Sequence, residues 1–363
     1  MGIELRNVSK FNEGVQYVED LDLSVEDGTF LAVVAPTWTG KTTLLRVIAG
    51  IQPPDKGKIF VDGEDVTGVH VRNRKVAMVY QQFINYPSFT VYENIASPLR
   101  VAGYSSKEID KRVHDTAEQL KISELLKRYP QELSGGQQQR VAIARALVKE
   151  ARIVLLDEPL GNLDYKLRED LRIELKNLAA EREAIFIYAT PEPIDALAMA
   201  SHVAIMHDRQ ILQYGEMQDV YLRPTHMKSG EYFSDPPMNF FNGHVSDGYA
   251  AISDDFKIPL SAMEVDLPEG NYMLGIRPHH IEVLENGSTE DTVNLNAVVE
   301  LSEIVGSDTT LHLSHRGLEF IALSRSLELF ALDETIRVSL NPRQIHVFDA
   351  QNQQIISNAA AAR

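Results

Sequence analysis

Three apolar runs carry no polar alternation: Phe30-Leu31-Ala32-Val33-Val34-Ala35, Ile153-Val154-Leu155-Leu156 and Ala184-Ile185-Phe186-Ile187-Tyr188-Ala189. A strand that buries only one face alternates, whereas a strand buried on both faces does not. Stretches with helical periodicity separate the runs, notably Lys41 to Ala49, Ser106 to Leu120, Gln137 to Lys149 and Lys166 to Ala180. Doubly buried strands spaced by helices imply a parallel sheet, and so an α/β domain.

The pattern changes at Tyr232-Phe233-Ser234-Asp235-Pro236-Pro237, where serine and two prolines mark a boundary. The sequence therefore predicts an α/β domain over 1–235 and an all-β domain over 236–363. In the second part, Leu274-Gly275-Ile276-Arg277, Thr310-Leu311-His312-Leu313 and Ile336-Arg337-Val338-Ser339-Leu340 are short and rich in strand formers. A turn is expected at Asn286-Gly287 and a frayed end over Ala359-Ala360-Ala361-Ala362. There is no internal repeat.

Composition excludes several classes. The net charge of -17 opposes nucleic acid as the main partner and opposes adhesion to anionic lipid. With no cysteine there is no disulfide, thiolate metal site or cysteine nucleophile, which fits a reducing compartment. The opening MGIELRNVSK lacks an apolar run, so no signal peptide is expected, and no stretch is apolar enough to span a bilayer. Membrane association is expected to run through a protein partner.

Between the first strand and its helix lies Ala35-Pro36-Thr37-Trp38-Thr39-Gly40-Lys41-Thr42-Thr43. This is the context of a phosphate-binding loop, in which backbone N–H groups face phosphate oxygens. Lys41 would reach the outer phosphates, and the Thr42 hydroxyl would bind Mg²⁺. Alanine stands where such loops usually begin with glycine. A strand–turn–helix that merely contains Gly-Lys-Thr is the plain alternative.

Later the chain carries Leu133-Ser134-Gly135-Gly136-Gln137, then Asp157-Glu158-Pro159 at the end of the second run, then Gly161-Asn162-Leu163-Asp164. Each alone reads as a capped helix start or a solvated strand end. Together and in this order they resemble the ATP-binding subunit of ABC transporters, over essentially the whole chain. The resemblance implies ATP and Mg²⁺ as ligands. Asp157 would hold the metal with Thr42 and Gln81, and Glu158 would act as general base on the attacking water. Gln81 matches the family's Q-loop glutamine, with Gln82 as the alternative register. Ser134, Gly135, Gly136 and Gln137 would close on the nucleotide of an opposite ATPase subunit, with Asp164 crossing that interface. Phe11 and Tyr17 are the candidates for stacking on adenine, although Asn12 falls at the family's position.

An ATPase domain followed by a β-rich extension resembles the carbohydrate importers typified by the maltose importer's ATPase, whose regulatory domain carries an OB-type barrel. Pro237-Met238-Asn239-Phe240, Gly275-Ile276-Arg277-Pro278 and Asn341 to Asp349 resemble landmarks of that domain. Val76 to Ser88 and Thr90-Val91-Tyr92-Glu93-Asn94-Ile95 resemble the branch that imports glycerol, whose members pair two different ATPases. The implied partners are a second ATPase, identical or different, two transmembrane channel subunits and, indirectly, an external binding protein. The implied place is the cytoplasmic face of the cell membrane.

Three residues depart from the family: Trp38 for a glycine, Gly161 for a D-loop serine, and Pro191 for the histidine that normally contacts the γ-phosphate. Proline has neither a side-chain donor nor an N–H. His202 and His207 are expected at an exposed helix end and a turn, not as replacements. Trp38, the only tryptophan, is expected beside the phosphates or the dimer interface. Two readings follow: an ATPase that powers import, or a nucleotide-binding subunit that hydrolyses little and completes a partner's site.

Overall fold

The computed structural model describes residues 2–284 and 292–359. The expected Asn286-Gly287 turn and Ala360 to Ala362 lie outside them. The chain divides into two compact units, Met1–Met217 and Gln218–Arg363.

In the first unit β1 (Gly2–Asn12) and β2 (Val15–Glu26) precede the predicted β3 (Phe30–Val34). Then come α1 (Lys41–Ala49), β4 (Lys56–Val61), β5 (Glu64–Asp65), β6 (Val76–Val79), α2 (Val91–Val101) and α3 (Ser106–Gln119). They are followed by α4 (Gly135–Leu147), β7 (Ile153–Asp157), α5 (Tyr165–Ala180), β8 (Ile185–Thr190) and α6 (Pro193–Met199). The unit ends with β9 (His202–His207) and β10 (Gln210–Glu216).

The main sheet runs β10-β9-β3-β8-β7-β6. Its inner strands are parallel, with Ala32 opposite Tyr188 and Leu155 opposite Ile187. All residues of β3, β7 and β8 are buried, which is why their sequences do not alternate. The two faces feed separate cores. One takes Val154, Leu156, Phe186 and Tyr188 with the helices α2 to α5, and the other takes Leu31, Val33, Leu155 and Ile187 with α1. An antiparallel sheet, β2-β1-β4-β5, joins the second core through Ile3, Leu5, Leu21 and Leu23. The parallel-sheet reading did not foresee this sheet. Its strands do alternate, as one-sided strands must, but they precede the first conspicuous apolar run.

The second unit holds a 6-stranded and a 5-stranded sheet, and every strand pairing in it is antiparallel among the described residues. Phe241, Leu274 and Val347 from the first sheet share one core with Leu295, Leu311 and Ile336 from the second. Residues 218–235 fall in this unit, upstream of the composition change used to place the boundary. Buried Arg277 helps bind them there: its guanidinium donates to Phe233 O and Tyr221 O, each at 2.6 Å, and lies over the Tyr221 ring. A stretch carrying the helices Met217–Leu222 and Met227–Tyr232 thus belongs by contact to the β-rich unit.

Candidate active site

The phosphate loop leaves the buried end of β3 and enters α1. Ala35 is anchored there, its N–H donating to Thr190 O at 3.3 Å. Gly40 closes the loop at a φ of 100°, and a Cβ there would stand 2.1 Å from Tyr17 O. Only glycine fits such a position. The same contact places the backbone of Tyr17 against the loop. Phe11 lies nearer the β1–β2 hairpin turn, with its N–H on Asp55. Of the two aromatics proposed for adenine, Tyr17 is the one the fold brings to the loop.

Lys41 begins α1 and is 3% exposed. Its Nζ donates to Ala35 O at 2.7 Å and Pro36 O at 2.9 Å, and pairs with Glu158 Oε1 at 3.2 Å. Burial pushes its pKa below the usual lysine range, and Glu158 opposes that shift. The Thr42 hydroxyl donates to Asp157 Oδ1 at 2.9 Å. Burial raises the pKa of Asp157, and the Thr42 hydrogen bond only partly offsets it. Thr39 donates to Pro36 O at 2.7 Å and stiffens the turn.

Glu158 follows β7 with a φ of 45°, in the left-handed region, while its N–H is held by Ala189 O at 3.0 Å. That backbone turns the carboxylate toward Lys41. Gln81 Nε2 donates to Glu158 Oε2 at 3.1 Å, so Gln81 rather than Gln82 joins the cluster. Asn162 Nδ2 donates to Gln81 O at 3.4 Å and ties the D-loop to the Q-loop. Asn162 carries no sequence signal beyond its place between Gly161 and Asp164.

Five residues from two strand ends and one helix start thus meet at one point. Two hard oxygen donors, Thr42 and Asp157, sit within hydrogen-bond distance, and the buried Asp157 carboxylate favours a neighbouring cation. These residues fit Mg²⁺. Lys41 has its three donors engaged by the backbone carbonyls of Ala35 and Pro36 and the carboxylate of Glu158, an arrangement that phosphate oxygens can enter by exchange.

Trp38 stands on the loop with a φ of 71° and is 92% exposed, so nothing in this chain covers its ring. Ser134 caps α4: it accepts from Gln137 N at 3.4 Å, and Gln137 Oε1 accepts from Ser134 N at 3.0 Å. Gly136 presses on Leu167 of α5, where a Cβ would meet Leu167 Cδ2 at 1.7 Å, and Gly135 faces Phe83. Asp164 caps α5 by accepting from Leu167 N at 3.0 Å. The signature and D-loop turns therefore support each other and leave Ser134 exposed.

Pro191 follows Thr190 at the end of β8. His202 and His207 are the half-buried ends of β9, not a helix end and a turn. Among the described residues no group of three or more His, Cys, Asp or Glu could hold a metal ion. None of the helices among them is long and apolar enough to cross a membrane.

Comparison with known proteins covers both units. The ABC transporter family model matches residues 18–161, the MalK OB fold domain 235–281 and the TOBE domain 274–348. The sn-glycerol-3-phosphate import ATP-binding protein UgpC of Yersinia enterocolitica is 35% identical over 96% of this chain and 98% of its own length. The xylose/arabinose import ATP-binding protein XacJ of Haloferax volcanii is 35% identical, with 98% and 96% covered. The trehalose/maltose import ATP-binding protein MalK of Thermococcus litoralis is 36% identical, with 96% and 97% covered. Among solved structures, the ATP-binding cassette MJ0796, a dimer in a post-hydrolysis state bound to ADP and Pi, matches 59% of this chain and 98% of its own. The TM-score is 0.54 and the identity 28%. With an ABC ATPase domain, a MalK-type OB fold and a TOBE domain in one chain, the protein belongs to the family of carbohydrate-import ATP-binding proteins of ABC transporters.

Proposed function

We propose that this chain is the ATPase subunit of an importer for glycerol or a related small polyol or sugar, working head to tail with a second ABC ATPase. The joined cluster of Lys41, Thr42, Gln81, Asp157 and Glu158 carries the reading. Lys41 leaves Glu158 to bind the outer phosphates, and the freed carboxylate takes the proton of the attacking water as Gln81 orients it. Thr42, Asp157 and Gln81 would hold Mg²⁺, which would supply charge neutralisation on the phosphates. Tyr17 serves as the adenine platform. The three relatives import different solutes at nearly equal identity, so the glycerol assignment rests on the segments Val76 to Ser88 and Thr90 to Ile95.

The chain works at the cytoplasmic face of the membrane, docked on two channel subunits. Exposed Ile84, Tyr86 and Phe89 support a docking surface after the Q-loop. Tyr86 and Phe89 pair at 5.4 Å, and Arg145 of α4 lies over Tyr86. Buried Asn94 shapes this loop, accepting from Tyr86 N and donating to Tyr86 O, Phe89 O and Thr90 O.

Pro191 favours slow turnover at this chain's own site, because a positioned donor on the γ-phosphate is worth roughly 10² or more in rate. The exposed Ser134 turn then serves the site of a partner ATPase. In the two-ATPase complex, Ser134→Arg should stop hydrolysis more severely than Glu158→Gln. The reverse order, or full activity from this chain as a homodimer, would refute the asymmetry.

A further inference from the structure

The switch turn is held by a carboxylate that the mechanism above does not use. Asp195, on α6, is 1% exposed. Its Oδ1 accepts from Arg172 Nε at 2.7 Å, and Arg172 Nη2 lies at 2.5 Å. Its Oδ2 accepts from the hydroxyls of Tyr188 at 2.7 Å and Thr190 at 3.2 Å. Thr190 Oγ1 in turn accepts from Glu192 N at 3.0 Å, across Pro191. The end of β8 thus held is the strand end that fixes the reacting groups: Thr190 O receives the N–H of Ala35, and Ala189 O receives that of Glu158.

We propose that Asp195 is a positioning residue of the nucleotide site, holding through Thr190 the strand end that Pro191, with no side-chain donor, cannot hold. Here the lock lies behind the strand, in a dry network whose bonds are strengthened by burial. Arg172 extends it to α5, the helix that Asp164 caps, so the D-loop helix and the switch turn share one anchor. This rests on the reading that the Lys41 loop takes ATP.

The test uses the full chain carrying Asp195→Asn, Thr190→Val or Thr190→Ser. Hydrogen exchange, read by mass spectrometry, should quicken about tenfold at the Ala35 and Glu158 amides in the first two variants, since local opening sets that rate. Thr190→Ser keeps the hydroxyl and should match the wild type. Single-turnover hydrolysis of radiolabelled ATP should fall roughly tenfold in the first two while ATP affinity stays within about threefold, the pattern of lost positioning. Thr190→Val preserves shape and keeps the test open if Asp195→Asn does not fold. Wild-type exchange in Thr190→Val overturns the proposal, as does Thr190→Ser behaving like Thr190→Val. Lys41→Ala, measured in parallel, separates the premise: unchanged ATP binding in that variant refutes the ATP site itself.

Discussion

Lys41 Nζ lies 3.2 Å from Glu158 Oε1, in a site where their side chains are 3% and 12% exposed. The lysine proposed to bind phosphate and the carboxylate proposed to activate water therefore neutralise each other in this structure. Phosphate must displace Glu158 from Lys41, and that displacement is what frees the base. Glu158→Gln removes the competitor. We expect it to tighten ATP binding about fivefold, roughly 1 kcal/mol for a partly buried pair, while hydrolysis falls. Equilibrium binding of ATP to both forms checks this; weaker binding by the variant would contradict the competition.

Trp38 gives an internal reporter. It is 92% exposed on the loop proposed to bind phosphate. Mg·ATP should change its emission saturably, at the concentration that saturates binding measured independently. An unchanged spectrum under demonstrated binding would place the ring away from both nucleotide and partner.

The loop after Gln81 predicts a docking phenotype. Tyr86→Glu with Phe89→Glu should abolish copurification with the channel subunits and leave ATP binding intact. The charges would meet an apolar partner surface, and Asn94 would still hold the loop. Retained copurification would move the docking site elsewhere.

In the second unit acid should destabilise the fold. Burial lowers the His280 pKa to about 3 and the His346 pKa to about 4, against 6.5 unperturbed. A depressed histidine pKa means that the unfolded chain binds more protons below pH 6.5, so stability falls as pH drops from there toward 4. Thermal melting of the full chain between pH 7 and 4 should show this slope, and His280→Asn should flatten it. An equal slope in the variant would remove His280 from the account.

The sequence made the site more legible than its surroundings. Lys41, Thr42, Asp157, Glu158 and Gln81 occupy short motifs whose spacing to strand ends is dictated by the chemistry of phosphate and metal. Their convergence needed only the parallel order of β3, β8, β7 and β6. The β2-β1-β4-β5 sheet and residues 218–235 were hidden because their placement depends on distant contacts. Arg277 reaching back to Tyr221 and Phe233 is one such contact. Asp195 was invisible for the same reason: its partners Arg172, Tyr188 and Thr190 are brought together only by packing of α5 and α6 on β8.

The central claim is that the Lys41 loop is an ATP site that turns over slowly without a switch histidine. Equilibrium binding and steady-state hydrolysis of Mg·ATP by the purified full chain, beside Lys41→Ala, test it most directly. We expect saturable binding in the wild type, a loss of at least about tenfold in affinity on Lys41→Ala, and slow hydrolysis by the chain alone that rises when a second ABC ATPase is added. Equal ATP binding by wild type and Lys41→Ala, or fast hydrolysis by the chain alone, would contradict it.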